Sequence, residues 1–302
     1  MRQPRSLKLL PLLCLALLLA SCQYGVGELF WRADPPSARI AEGSGRDVGS
    51  VTKALAAAIS SRPGESWSFI ATSDLHFTEG GGARPAALKA FAGLAAESGA
   101  AFALFAGDLV DKGQDSEYRS FVAWADSLKS GSASPQGEGG KLPWFSAVGN
   151  HDLYNSGWES FRKRIGPSSW SFGAGGFSFY IIDTGSGALG EKQLESLAAE
   201  LRSDRQPKVV LSHYPVRGND NYSYFRLTSP RERALLLALF NETGVRALLC
   251  GHWHYPESAD CGGFPEQIVG SLVASKRDGK SRAAIIKVST SGELSITIAE
   301  LP

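Results

Sequence analysis

Residues 67–76 read Trp67-Ser68-Phe69-Ile70-Ala71-Thr72-Ser73-Asp74-Leu75-His76, an apolar run that gives way within a few residues to a carboxylate and an imidazole. The run from Trp67 to Ala71 has the length and character of a buried strand. Beyond it, period-two alternation places Asp74 and His76 on one side of an extended segment, where both can reach one point. Alone, an Asp-x-His triplet is more often a solvated turn, so its meaning depends on the rest of the chain.

The same pattern recurs. Further apolar runs cover Phe102–Ala106, Trp144–Val148, Phe177–Ile182, Val209–Leu211 and Val245–Leu249. Gly107-Asp108 follows the first and Gly149-Asn150-His151-Asp152 the second; His213 follows the Val209 run, and Gly251-His252-Trp253-His254 the last. All five histidines thus lie at or just beyond a strand end, and strand ends in α/β sheets converge on one crevice. Asp108 carries two oxygens and can bridge two cations, with Gly107 admitting close backbone approach. Asn150 offers a neutral oxygen, and His151 is a candidate proton donor oriented by Asp152. His252 and His254 alternate as Asp74 and His76 do, which sets two imidazoles on one face.

Amphipathic helices separate several of the strands. Tyr118, Phe121, Val122 and Ala125 share one face, as do Leu194, Leu197, Ala198 and Leu201. Ser229-Pro230-Arg231-Glu232 has the form of a capping box with proline at the first helical position, so a helix should run from there to about Phe240. After Gly263, three strands are expected over Gln267–Ala274, Ala283–Val288 and Leu294–Ile298, which suggests a second, more antiparallel sheet. The fold class is α/β, and two sheets face to face with helices outside both give a four-layer α-β-β-α sandwich.

The N-terminus carries Arg2, Arg5 and Lys8 and then an apolar run from Leu9 to Ala20, too short to cross about 30 Å of hydrocarbon. It reads as a signal peptide over 1–22. Residues 23–66 have Pro35-Pro36 and scattered glycines, as expected of a tether with one short helix around Val51–Ile59, and the domain proper occupies 67–302. Composition excludes disorder throughout, with 43% hydrophobic and 20% charged residues. The 31 basic residues less those three leave 28 against 30 acids, so no polyanion partner is indicated. Four cysteines occur; Cys250 and Cys261, the two beyond residue 22, can pair or stay free.

Taken in order, Asp-x-His, Gly-Asp, Gly-Asn-His-Asp, His and Gly-His-x-His resemble the calcineurin-like metallophosphoesterase family over roughly Phe69–His254. The resemblance implies a phosphoric ester hydrolase with a dinuclear metal centre and bridging hydroxide. Asp74, His76 and His254 would hold one ion, and Asn150, His213 and His252 the other, with Asp108 shared. It also implies that His151 protonates the leaving oxygen, with Asp152 stabilising its charged form. The Gly-His-x-His ending is closer to the cyclic-nucleotide phosphodiesterase branch than to protein phosphatases. Asp111 stands where purple acid phosphatases have a tyrosine ligand to iron, so both ions are expected to be divalent. Manganese, iron, zinc and nickel suit such nitrogen and oxygen ligands about equally. Leu19-Ala20-Ser21-Cys22 resembles the lipobox of bacterial lipoproteins, which implies lipidation at Cys22 and anchorage in the cell envelope, periplasmic or surface-facing.

The expected substrate is a small-molecule or lipid-linked phosphoester, most readily a diester. Arg217–Arg226, with Tyr222, Tyr224 and Phe225, could meet it or could be structural surface. A phosphomonoesterase, a nuclease and a non-catalytic metal-containing binding lipoprotein are the alternatives. The nuclease lacks a basic run to grip a polyanion.

Overall fold

The computed structural model describes residues 36–40, 47–62, 64–82 and 84–302. The expected signal peptide with its Cys22, and the tether as far as residue 35, lie outside the described residues. No helix among the described residues is long and apolar enough to cross a membrane.

Eleven strands and seven α-helices are described. In chain order they are α1 (Pro36–Ile40), α2 (Val48–Ser60), β1 (Trp67–Thr72), α3 (Pro85–Glu97), β2 (Ala100–Phe105), α4 (Asp115–Ala125), β3 (Trp144–Ser146), α5 (Trp158–Arg164), β4 (Trp170–Ala174) and β5 (Phe177–Ile181). There follow α6 (Glu191–Ser203), β6 (Lys208–Leu211), α7 (Pro230–Glu242), β7 (Val245–Cys250), β8 (Ser258–Asp260), β9 (Pro265–Ile268), β10 (Ser281–Val288) and β11 (Leu294–Leu301). The first sheet has the order β11-β10-β1-β2-β3 and the second β4-β5-β6-β7-β9-β8. β1, β2 and β3 run parallel, as do β5, β6, β7 and β9. β10, β11, β4 and β8 add antiparallel edges.

One apolar layer lies between the sheets. It includes Phe69, Phe102, Phe145, Phe172, Phe179, Val209 and Leu249. The outer face of the first sheet packs Phe105 and Trp144 against α3 and α4 through Phe91, Tyr118 and Phe121. The second sheet packs Val210 and Leu248 against α6 and α7 through Leu197, Leu201, Leu236 and Phe240. This is the expected four-layer sandwich.

Three expectations need correction. The C-terminal strands do not form a sheet of their own. β10 completes the open edge of β1 from Trp67↔Val288 to Ala71↔Ala284, whereas β9 lies parallel to β7. The strand expected over Gln267–Ala274 ends at Ile268, and the chain then crosses from the second sheet to the first as a strap, 269–273. There Leu272 N donates to Ser73 O and Val273 N to Asp74 O, each at 3.2 Å.

Second, residues 23–66 are not wholly a tether. On α2, Leu55 and Ile59 enter the layer between the sheets. On α1, Arg39 is buried and donates from Nε and Nη2 to Asp183 Oδ2 and Oδ1 at 2.6 and 2.8 Å, and from Nη2 to Ser186 Oγ at 3.1 Å. Apolar anchors and a buried ion pair fix this segment on the domain. Third, only half of the capping box forms on α7. Ser229 Oγ accepts from Glu232 N, but the Glu232 carboxylate accepts from Leu189 N and Gly190 N, both at 3.0 Å, and so ties down the loop before α6.

Candidate metal centre

The ends of β1, β2, β3, β6 and β7 meet over the layer between the sheets and bring all five histidines together. Three groups of side chains each present ligand atoms within 4.8 Å of one another: Asp74, His76 and His254; His76, Asp108 and His151; and Asp108, His213 and His252. His76 links the first group to the second, and Asp108 links the second to the third. Asp108 Oδ2 lies 3.9 Å from His76 Nε2 and 3.5 Å from His213 Nε2. Asn150 Oδ1 stands 3.0 Å from His213 Nε2, and His252 Nδ1 stands 3.2 Å from the same nitrogen.

The backbone that delivers these residues is not extended. Asp74, His76, Asp108, His252 and His254 have φ of 50°, 45°, 51°, 68° and 62°, the left-handed region. Only Asn155 and Ser156 share it among described non-glycine residues. Such a conformation costs on the order of 1 kcal/mol or more per residue and persists where the surroundings impose it. Here the turns after β1 and β2 zip together. Asp74 N donates to Gly107 O at 3.0 Å, and Leu75 N and His76 N both donate to Asp108 O, at 2.8 and 3.1 Å. The strap fixes the other side, where Ser271 Oγ donates to Asp74 O at 3.0 Å. The left-handed turns, rather than strand alternation, therefore bring Asp74 and His76 into one group. They also send His252 and His254 to different groups instead of one face.

Gly107, with φ of 86°, is required by conformation and by contact, and Gly149 by contact alone. A Cβ on Gly107 would stand 2.6 Å from His213 Nδ1, and one on Gly149 would stand 2.2 Å from both N and Oδ1 of Asp108.

The donor set fits metal ions. His76 Nε2 is buried with no hydrogen-bond partner among the described residues, and Asp74 Oδ1, also buried, has only the His254 Nε2 contact at 3.2 Å among them, without hydrogen-bond geometry. A buried polar atom left unpaired costs about 1–3 kcal/mol, and a cation between them would remove that cost. His213 Nδ1 donates to Ala106 O at 2.7 Å, which leaves Nε2 as the nitrogen with a lone pair toward the cluster. Burial, with His213 alongside, pushes the His252 imidazole down to about 3, so it stands neutral, as a ligand must. Burial pushes the Asp74 carboxyl up, but the His254 imidazole overrides it and holds Asp74 below the usual carboxylate range. Burial likewise works against the His254 cation, yet Asp74 at 3.2 Å raises it above its ordinary value.

His151 sits beside this cluster, its ring 4.5 Å from that of His76. Its backbone N donates to Asp108 Oδ1 at 2.8 Å, and its Nδ1 donates to the Asp111 carbonyl at 2.8 Å. The orienting part expected of Asp152 therefore falls to Asp111, whose Oδ1 is also 3.8 Å from His151 Nδ1. Asp152 accepts instead from the backbone N of Leu109, Val110 and Gly149, at 2.9, 3.2 and 2.8 Å, and splices the Asp108 turn to the Asn150 turn. Burial, with Asp108 nearby, pushes the Asp152 carboxyl well up despite those three amides, so it is poorly suited to balance an imidazolium.

A family model described as calcineurin-like phosphoesterase matches residues 68–256, which takes in every residue of these groups. The chain belongs to the calcineurin-like phosphoesterase family. Among solved structures, this phosphoesterase is similar to a dimetal phosphatase from Danio rerio. The two are 14% identical over 79% of this chain and 96% of that one, with a TM-score of 0.59. It is also similar to GAP50 of Plasmodium, described as the anchor in the inner membrane complex, at 14% identity over 78% and 84% of the two chains and a TM-score of 0.56. A purple acid phosphatase from yellow lupin is 15% identical over 79% of this chain and 55% of its own, with a TM-score of 0.54. At such identities the likeness is one of fold. No curated protein sequence matches the chain.

Sequence reasoning missed several supports of the centre. Thr184 Oγ1 accepts from His213 N at 3.1 Å, and Ser73 Oγ donates to Gly270 O at 2.6 Å. Each is a single hydroxyl whose partner lies far off in sequence, although Ser73 stands next to the Asp-x-His block. The loop Arg217–Arg226 divides. Tyr222 is buried and donates to Glu266, whose carboxylate also accepts from Val216, Arg217 and Gly218 N, while Phe225 lies 5.9 Å from the His252 ring and Tyr224 is 95% exposed.

Proposed function

We propose that this phosphoesterase is an exported enzyme, lipid-anchored through Cys22, that hydrolyses phosphodiesters at a dinuclear centre. Asp74, His76 and His254 would hold one ion, Asn150, His213 and His252 the second, and Asp108 both. The observation that carries the reading is the position of Asp108 Oδ2 between the His76 and His213 nitrogens, so that one carboxylate belongs to two ligand groups. Two divalent cations bound there supply Lewis acidity, which acidifies water and offsets charge on the phosphoryl oxygens. Manganese, iron, zinc and nickel all suit the donors.

The chain's own residues supply the rest. Nδ1 of His151 is engaged by Asp111, so Nε2 is the nitrogen that can pass a proton to a leaving oxygen. The Asp111 carbonyl and carboxylate steady the imidazolium that must exist beforehand. A diester needs this more than an activated aryl monoester, because its second ester oxygen often departs as a poor leaving group. The absence of a basic run favours small or lipid-linked diesters over nucleic acid.

The test is a hydrolysis panel on the metal-loaded chain lacking residues 1–22, covering aryl phosphodiesters, monoesters, cyclic nucleotides and lipid head groups. Diester turnover is expected, with His151→Ala retaining both metals but losing at least about 100-fold in kcat on poor leaving groups. Silence across the panel, or full turnover by His151→Ala, would refute the reading. Labelling with radioactive palmitate, lost in Cys22→Ala, tests the anchor separately.

A further inference from the structure

Just after His151, the chain makes a second strained turn that contributes no residue to the ligand groups. Asn155 and Ser156 are left-handed, with φ of 51° and 63°. The turn is closely built. A Cβ on Gly113 would stand 2.2 Å from Tyr154 O, and one on Gly157 would stand 2.1 Å from Asp152 O. Tyr118 Oη donates to Asp152 O at 2.7 Å, and Asn155 Nδ2 donates to Lys112 O at 2.9 Å. What this framework holds is Tyr154, 45% exposed, its ring 4.6 Å from that of His151 and inclined 43° to it. Among the described residues its hydroxyl meets Asn150 Nδ2 alone, at 3.3 Å. An aromatic ring this exposed, beside a candidate proton donor, offers a face to solvent.

Resting on the reading of His151 as the donor to the leaving oxygen, we propose that Tyr154 is a specificity-determining platform on which an aromatic ring of the leaving group stacks. The substrate class is then a phosphodiester whose departing alcohol carries an aromatic ring, either an aryl group or a nucleoside base. Offset stacking suits this site because the His151 ring alongside and the bond from Asn150 Nδ2 to its hydroxyl restrict the Tyr154 ring before substrate arrives, so less side-chain entropy is lost.

The test compares the metal-loaded chain with Tyr154→Ala and Tyr154→Phe. The esters are a phenyl phosphodiester, a nucleoside phosphodiester, and a hexafluoroisopropyl phosphodiester whose leaving group is similar in acidity to phenol but lacks a ring. Tyr154→Ala should lower kcat/KM about tenfold on the ring-bearing ester, the size of one good aromatic pair, and less than about twofold on the fluoroalkyl ester. Tyr154→Phe should stay within about twofold of the parent throughout. A selective loss on the phenyl or on the nucleoside ester alone identifies which ring is meant. Calorimetric binding of phenylphosphonate and methylphosphonate gives a reading free of turnover, with Tyr154→Ala weakening only the former. Equal loss on all esters, or unchanged phenylphosphonate affinity with no selective loss, would overturn the platform. Absence of turnover by the parent would instead count against the hydrolase reading, with the phosphonate comparison still deciding Tyr154.

Discussion

Arg39 and Asp183 are 144 residues apart, and both side chains are 0% exposed. Replacing Arg39 with methionine removes its hydrogen bonds to Asp183 and Ser186 and leaves Asp183 Oδ1 with Gly185 N, at 3.2 Å, as its donor among the described residues. Breaking one side of a buried pair costs about 3–5 kcal/mol, because the remaining charge is stranded away from water. For a domain of this size each kcal/mol moves Tm by roughly 2 °C, so Arg39→Met should lower it by about 6–10 °C. Circular dichroism melts of the metal-free chain measure this. The pair is out of solvent, so the drop should be nearly the same in low and high salt. Removing both charges, in Arg39→Met with Asp183→Leu, should recover part of the loss, since no charge is then stranded and only the Gly185 N–H loses its acceptor. A single variant that melts within about 2 °C of the parent, or a double variant no better than the single, would refute the docking of α1.

Three further outcomes follow from the geometry. Gly149→Ala should keep its far-ultraviolet spectrum but bind metal at least about tenfold more weakly by elemental analysis after dialysis, because its Cβ would press on Asp108. Acid should act against the metal-free protein through His252. His252 titrates near 3 when folded and near 6.5 when unfolded, so between those values the unfolded chain takes up a proton that the folded chain refuses, and this contribution to stability falls as pH drops through the window. His76, held low by burial, acts in the same direction; Asp152, raised by burial, and His254, raised by Asp74, oppose it. The His252 part is read by difference: the urea midpoint should fall less, or rise more, from pH 7 to pH 4.5 in His252→Ala than in the parent, and the same change in both would contradict it. Cys250 and Cys261 are buried and unbridged, and burial pushes the first thiol well up and the second up to about 12. The chain lacking residues 1–22 should therefore show no thiol reactive with Ellman's reagent when native and two when denatured, whereas a bridged pair would show none in either state.

The four layers were legible because buried parallel strands are written as unbroken apolar runs, and Phe69, Phe102, Phe179 and Leu249 all lie in them. The residues now gathered at the centre were legible for a related reason, since polar punctuation after such a run has one place to go. What local pattern could not give was backbone conformation and partnership. Asp74-Leu75-His76 has the spacing of a strand but the φ values of a left-handed turn, imposed by Asp108 O and the strap, which are distant in sequence. Asp152 follows His151 in the chain, yet Asp111 meets its ring, because the turn carries the Asp152 side chain back toward β2. β4 was missed because it is an edge strand in which Ser171 and Gly173 break the apolar pattern. The membership of β10 and β11 was not readable because a hairpin says nothing of which open edge it will complete.

The ligand groups straddle the two sheets. Asp74, His76, Asp108 and Asn150 follow strands of the first, whereas His213, His252 and His254 follow strands of the second, so Asp74 and His76 meet His254, and Asp108 meets His213 and His252, only across the sandwich. How closely each group gathers is thus set by the thickness of the filling beneath it, where Phe179 meets Phe69 edge-on at 5.4 Å and Phe102 at 5.2 Å. Close-packed aromatic rings compress very little. They act as a gauge block, so that substitutions deep in the sandwich and remote from any substrate become calibrations of how tightly the donors close on one another.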